Sequence, residues 1–333
     1  MNFQDKKIMS TVAITSLGHY LPQRRLTNHE LEQMVDTSDE WITVRTGIKE
    51  RRVADGEKTS DMAIKAANEA IEKAGLDPHK IELIIVGTVS PDSNFPSVAC
   101  LVQSALGARH AAAFDVSAAC SGFLFALTTA KQYLQNGMFK NALVIAVDKF
   151  TNLVDWNDRS TCVLFGDGAG ACVLQCVENS NGEILSDYMF SLGAQGEFMK
   201  VVVEDRKPLD QKTEKIKFPY AVMRGQELFK VAVNSMAAAV VIAARRANVK
   251  VEDIECVVPH QANDRIISAV AKKLKIPKEK FFINIQKYGN MSAASIAIAL
   301  YEAVAEEKIK KGDHVALVTF GAGLTAAANI VKW

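Results

Sequence analysis

Apolar positions along this chain fall into two alternating kinds of block. Short dense runs at 11–16, 81–87, 142–147 and 168–175 carry the Val, Ile, Leu and Ala content of strands covered on both faces. Between them lie stretches with helical spacing: an alanine-rich amphipathic segment at 60–74 and a second segment at about 97–106. A third begins after Cys120, where Phe123, Phe125, Ala126, Leu127 and Ala130 form a densely apolar run preceded by a short buried strand around 114–116. A loop is expected at 18–22, then a short helix over 28–34 with Asn28 as its cap. Strand, helix, strand, helix predicts a layered α/β fold.

The pattern repeats at long range. Ala70, Ala74, Ile81 and Glu82 recur as Ala243, Ala247, Ile254 and Glu255, an offset of 173 positions. The same offset sets 142–147 on 315–320 and Cys120 on Ala293. Two similar halves are therefore expected, 10–176 and 177–333, after an N-terminal extension at 1–9 in which Met9 is an alternative start. No Pro/Gly/Ser-rich tract separates them, so they should pack as one body. The polar stretch 193–219 reads as an exposed excursion, either a flap over a substrate entrance or a plain surface loop.

Composition narrows the class. A chain of 333 residues, 49% hydrophobic, can bury a large core, and a net charge of +1 makes no electrostatic case for nucleic acid. The six cysteines, at 100, 120, 162, 172, 176 and 256, lack paired metal-type spacing and read as reduced thiols in a cytoplasmic protein without a metal site. Neither a secretory signal nor a run of about 18 apolar residues that would span a bilayer is recognisable, so no membrane is expected.

Candidate chemistry gathers at strand ends. Cys120 lies at a strand-to-helix junction, where unpaired N–H groups and the helix dipole favour thiolate. His260, in Pro259-His260-Gln-Ala-Asn263, and Asn290, in Gly289-Asn290-Met-Ser-Ala-Ala, also stand where strands give way to helices. By the repeat, the Asn290 turn is the counterpart of the Cys120 turn, so cysteine, histidine and asparagine converge near a pseudo-twofold axis. Trp41, in a surface-type segment with Arg45, Arg51 and Arg52, could stack a base while the guanidinium groups hold phosphates. After His260, the residues Ile266, Ile267, Ala269, Val270 and Leu274 suit burial, and Arg265, Lys272 and Lys273 share another helix face.

Ala118-Ala-Cys120-Ser-Gly, Val258-Pro-His260-Gln-Ala-Asn263 and Tyr288-Gly-Asn290-Met-Ser-Ala-Ala-Ser resemble the three catalytic motifs of the β-ketoacyl-acyl-carrier-protein synthase III family. Trp41-Ile-Thr-Val-Arg45-Thr-Gly-Ile and Phe165-Gly-Asp-Gly-Ala-Gly-Ala extend the likeness, which covers 11–333 in order. The resemblance implies a thiolase-like fold, two duplicated βαβαβ-type halves packed as five layers (α-β-α-β-α). It also implies a decarboxylating Claisen condensation of an acyl-CoA primer, expected to be acetyl-CoA, with malonyl-acyl-carrier protein. Cys120 would carry the acyl group, and His260 and Asn290 would donate hydrogen bonds to the enolate oxygen. The backbone N–H groups of Cys120 and Ala322 would form the oxyanion hole. Trp41 and Arg159 would sandwich the CoA adenine, with Arg45 and Thr46 on the nucleotide side and Asn263 along the pantetheine channel.

Phe95 would cap the acyl pocket of a partner subunit, implying a homodimer. Arg265, Lys272 and Lys273 would receive an acidic carrier protein. No cofactor is implied, acyl-CoA being a substrate. The chain departs from the family at Gly321-Ala-Gly-Leu324-Thr-Ala-Ala327, where Gly-Gly-Gly-Phe-Thr-Trp-Gly is usual, leaving primer choice open. Three rivals are a related enzyme using other acyl-CoA primers or acting in secondary metabolism, a non-catalytic acyl-CoA-binding protein, and a papain-like protease. The last would show Cys-Gly-Ser-Cys-Trp near its mature start, which is absent.

Overall fold

The structure, a computed structural model, describes residues 11–177, 181–201 and 220–333. The expected extension at 1–9 and positions 202–219 of the expected excursion lie outside the described residues. The chain opens with β1 (Val12–Tyr20) and a small ribbon, β2 (Arg24–Thr27) and β3 (Glu50–Val53), enclosing α1 (Asn28–Glu32) and α2 (Asp39–Thr46). There follow α3 (Thr59–Ala74), β4 (Leu83–Gly87), α4 (Val98–Leu106), β5 (Ala112–Val116), α5 (Gly122–Gln135), β6 (Asn141–Lys149) and β7 (Asp167–Cys176).

Beyond these come β8 (Glu183–Ser191), β9 (Met199–Val201), β10 (Ala221–Met223), α6 (Gly225–Arg246), β11 (Cys256–Pro259) and α7 (Asp264–Leu274). The chain closes with α8 (Ile285–Tyr288), α9 (Ala294–Ala305), β12 (His314–Gly321) and β13 (Thr325–Lys332).

Nine strands join in the order β11-β12-β13-β8-β1-β7-β6-β4-β5. The seam between β1 and β8 is a single pairing, Ala13 with Glu183, so the array is two half-sheets meeting at a hinge line. Strand residues alternate between two cores. On β6, Ala142, Val144 and Ala146 face a central core, while Leu143, Ile145 and Val147 face an outer one with α3 and α4. On β12, Val315 and Leu317 join that central core, while Ala316, Val318 and Phe320 pack outward with α6 and α7. Helices α5 and α9 fill the centre. Outer helices, half-sheet, central helices, half-sheet and outer helices make the five-layer thiolase-like arrangement.

The offset of 173 persists in the geometry. It carries Asn141, the start of β6, to His314, the start of β12, and it matches Ala119 (φ +46°) with Ser292 (φ +50°), both in left-handed backbone. Strain of this kind in a non-glycine residue is held only where the surroundings impose it. The turns before α5 and α9 approach closely: a Cβ on Gly122 would lie 3.1 Å from the Ala293 Cβ. The counterpart of β5 is reduced to a bridge, Phe281 beside Val257.

Several expectations are corrected. β1 continues to Tyr20 through the expected loop at 18–22, because it pairs with β7 as far as Tyr20 opposite Ala169. Thr27, not Asn28, caps α1: its hydroxyl accepts from the Glu30 N–H while Glu30 accepts from the Thr27 N–H. Asn28 is buried and donates to the Ile48 carbonyl at 2.8 Å. The 36–52 segment is not a solvated surface throughout, since Arg51 is fully buried, donating to Leu26 O, Asn28 Oδ1 and Val163 O. β5 is half-buried at the sheet edge, not enclosed.

Against the expectation of no spanning-length apolar segment, α6 is long and apolar enough to cross a bilayer by length and composition. Half of that stretch is buried, and the helix packs on β8, β12 and β13 as a core helix.

Gly87→Ala should report the tightness of the central contact, because the new Cβ would lie 2.6 Å from the Gly122 carbonyl carbon and oxygen. A loss of about 1–3 kcal/mol in denaturant unfolding is expected from such overpacking; unchanged stability would show that the layers can separate there.

Candidate active site

Cys120 sits in a short 3-10 turn, Ala119–Ser121, between β5 and α5. The turn is pinned from behind: the Thr319 hydroxyl donates to the Cys120 carbonyl at 2.9 Å. Gly321 is required beside it, since a Cβ there would stand 2.8 Å from Ser121 N and 3.0 Å from Cys120 N. The thiol meets a cavity of about 140 Å³ shared with His260, Asn290, Asn263 and Ala322, and walled by apolar residues including Leu228 and Phe229. Burial pushes the Cys120 thiol up to about 12, outweighing the Ser292 hydroxyl, which favours the thiolate, while the nearby Asp148 charge adds to the rise. The thiolate expected from the helix terminus is thus corrected: desolvation of the buried thiol dominates.

His260 follows β11, its backbone N–H donating to Val318 O at 2.8 Å. Its ring is buried and Nδ1 has no hydrogen-bond partner. Burial lowers its pKa to about 3, so the imidazole is neutral at physiological pH and can present one N–H donor. Asn290 is fixed through its backbone, donating to Leu164 O at 2.9 Å and accepting from Gly166 N at 3.0 Å. Its side-chain Oδ1 accepts from the Ser292 N–H at 2.8 Å. With the oxygen so engaged, the amide nitrogen is the group left to serve as a donor.

Sequence reading missed Asp148. Fully buried at the end of β6, it accepts from the Thr88 hydroxyl, the Val89 and Ser90 N–H groups and the Ser90 hydroxyl, and from the Ala293 N–H at 3.3 Å. Ala293 is the repeat counterpart of Cys120, and Asp148 that of Gly321. The first half therefore fills, with its own carboxyl group, the anion site that the Cys120 turn leaves open. The repeat was the signal that could have found it. Gln261 was also missed: its amide donates to Pro259 O and Phe282 O, locking the loop that carries His260.

The remaining expected residues separate into clusters. Trp41 has the Arg45 guanidinium 4.8 Å and that of Arg159 5.1 Å from its ring centroid. Arg159 is held by Asp36 O at 2.6 Å. Asn263 links this cluster to the cavity: it lines the wall, donates to Arg45 O at 3.1 Å and caps α7 by accepting from Arg265 N. Thr46 is buried, its hydroxyl donating to Ile42 O and accepting from Ile48 N, so it shapes the turn and does not face an open nucleotide surface.

Arg265, Lys272 and Lys273 are exposed on α7, whose buried face is Ile267, Val270, Ala271 and Leu274. Ile266 is partly buried, packing against the outer core and lining the cavity, and Ala269 is only half-buried. Phe95 is 85% exposed and does not line this chain's cavity. Among the described residues no group of three or more His, Cys, Asp or Glu could hold a metal ion.

Two pH effects follow. Alkylation of Cys120 in the unliganded protein should keep accelerating with each pH unit through about pH 9, whereas a plateau near neutrality would contradict the buried thiol. For His260, the folded pKa of about 3 lies below the unfolded 6.5, so the unfolded chain binds the proton first. Stability is then lost as pH falls through that window, and His260→Asn should flatten this part of the pH–stability curve; an equally steep curve would refute the assignment.

Comparison with known proteins agrees with this geometry. Family models described as 3-oxoacyl-[acyl-carrier-protein] synthase III match residues 114–196, and those for its C-terminal part match 244–333. A β-ketoacyl-[acyl-carrier-protein] synthase III from Caldanaerobacter subterraneus subsp. tengcongensis is 50% identical over 322 residues, covering 96% of this chain and 97% of its own. The crystal structure of 3-oxoacyl-[acyl-carrier-protein] synthase III from Aquifex aeolicus VF5 superposes with a TM-score of 0.90 at 49% identity, covering 97% of this chain and all of that one. The priming β-ketosynthase from the R1128 polyketide pathway does so with a TM-score of 0.89 at 33% identity, covering 97% of each chain. The chain belongs to the β-ketoacyl-acyl-carrier-protein synthase III family, a family of acyltransferase-class condensing enzymes.

Proposed function

We propose that this protein joins an acyl-CoA primer, acetyl-CoA first among candidates, to malonyl-acyl-carrier protein with loss of carbon dioxide, the initiating step of fatty-acid synthesis. The observation that carries the reading is the convergence of Cys120, a neutral His260 and the Asn290 amide on one cavity. The Cys120 sulfur attacks the thioester carbonyl; the new S–C bond forms, the CoA sulfur departs, and the thiol proton goes to it. The Cys120 and Ala322 N–H groups stabilise the oxyanion. The malonyl group then loses carbon dioxide, and its enolate oxygen takes hydrogen bonds from His260 and Asn290. The enolate carbon attacks the acyl carbonyl, and Cys120 leaves as thiolate to regain a proton from solvent. No cofactor enters this cycle.

Surrounding roles belong to the same reading. Trp41 and Arg159, with Arg45, receive the CoA nucleotide, and Asn263 guides pantetheine. Arg265, Lys272 and Lys273 meet the acidic carrier protein. The half-buried edge β5 and exposed Phe95 suit a homodimer in which Phe95 reaches the partner's acyl pocket. The cytoplasm is the compartment this chemistry fits. The R1128 likeness favours a second reading, a primer other than acetyl-CoA in a secondary pathway; rates with a panel of acyl-CoA primers separate the two.

Incubation with acetyl-CoA should add one acetyl group by intact mass, and Cys120→Ser should abolish it; no adduct with any acyl-CoA would sink the proposal. His260→Ala and Asn290→Ala should load normally yet discharge onto malonyl-acyl-carrier protein about 100- to 1,000-fold more slowly, the effect of removing one oxyanion donor. Normal discharge in both would overturn their roles.

A further inference from the structure

Decarboxylation asks two side chains on separate loops to meet one oxygen. His260 follows β11 and Asn290 follows α8, and nothing covalent fixes their spacing. Between them runs α8, and a single carboxylate grips both of its ends. Glu302, on α9, has a side chain 14% exposed and sets one carboxylate oxygen on Tyr288, at the end of α8 that leads to Asn290, and the other on Asn284, the N-cap of α8, which meets the His260 loop. Oε1 accepts the hydroxyl of Tyr288, two residues before Asn290. Oε2 accepts from Asn284 Nδ2 at 2.9 Å, with Lys287 Nζ 3.7 Å away. Asn284 continues the link, its backbone N–H donating to Gln261 Oε1 at 3.1 Å, and Gln261 is next to His260.

Gln261 and Asn284 are buried, and Gln261 has both ends of its amide committed within the same chain of bonds. The Gly289 between Tyr288 and Asn290 holds a φ of +67°, with a Cβ there only 2.8 Å from Leu164 O, so the short path from Tyr288 to Asn290 has little freedom.

We propose that Glu302 is a positioning residue that sets the separation of the His260 and Asn290 donors, and so acts on the condensation half-reaction and not on loading of Cys120. This rests on the condensation proposed above. The Cys120 turn is held instead by Thr319 and closely packed against Gly321, and neither of these is bonded to Glu302, Tyr288, Asn284 or Gln261. Misplacement of a donor by about 1 Å is enough to slow a reaction about 100-fold.

The test measures, in one preparation, acyl loading from acetyl-CoA by intact mass and single-turnover discharge with malonyl-acyl-carrier protein, for the wild type, E302A, E302Q and Y288F. For E302A, loading stays at the wild-type rate, discharge falls by about 10- to 100-fold and KM for the malonyl thioester holds within about twofold. E302Q recovers a large part of the loss, since its amide oxygen can accept from Asn284 and its NH2 can donate to the Tyr288 oxygen. Y288F loses one hydroxyl and keeps the fold even if E302A does not, and its discharge also slows while loading persists. Discharge unchanged in E302A or Y288F, or loading and discharge falling together, overturns the role, as does E302Q behaving like E302A. A wild type that loads but never discharges overturns the condensation and this role with it; a wild type that discharges no faster than its variants overturns the role alone.

Discussion

Backbone presses on backbone at the centre of this fold, and the site depends on that contact. The turn bearing Cys120 is wedged between Gly321 on one side and the mirror turn, through Gly122 and Ala293, on the other. Side chains at these positions would push the two half-sheets apart. With them absent, the ends of β6 and β12 bring Asp148 and Gly321 behind the two turns that begin α5 and α9. The same close packing imposes left-handed backbone on Ala119 and Ser292.

Duplication supplies two similar turns, and their chemical difference comes from a few substitutions between the halves. In one, Asp148 accepts the Ala293 N–H and closes the anion site. In the other, Gly321 leaves the Cys120 N–H beside a cavity. Dryness then sets the protonation states: it drives the Cys120 thiol up and the His260 imidazole down, so the unliganded site holds a neutral thiol and a neutral donor. On these two side chains charge arises only as the reaction creates it, which is the condition under which preorganised N–H donors matter most.

Much of this was legible in the sequence, for identifiable reasons. Buried strands read clearly because their apolar runs are continuous, and the repeat at 173 anticipated the correspondence of β6 with β12 and of the Cys120 turn with that of Ala293. Cys120 and His260 were visible because each stands where a strand hands over to a helix, and Asn290 because it lies just before α9, although the element ahead of it is the short α8 and not the expected strand. What escaped depends on tertiary context. β1 outran its expected end because pairing with β7 overrode a Gly-containing stretch. Thr27 displaced Asn28 as cap because the Asn28 amide is drawn inward to the Ile48 carbonyl. Arg51 looked solvated, yet carbonyls from three directions of the fold take it into the core. Asp148 and Glu302 had no local signature, since their partners lie on other elements that folding brings beside them. The thiolate was overestimated at Cys120 because a helix terminus can be read from sequence and the degree of desolvation cannot.

In the proposed mechanism one turn, held by Gly321, serves both acyl transfer to Cys120 and the later attack on the acyl group. Gly321→Ala places a methyl against Cys120 N and Ser121 N. Rapid-quench measurement of both half-reactions in this variant tests the claim directly. Loading and discharge should both slow by about 10-fold or more, the scale of a disturbed oxyanion donor. Wild-type rates in either half-reaction alone would contradict a shared turn.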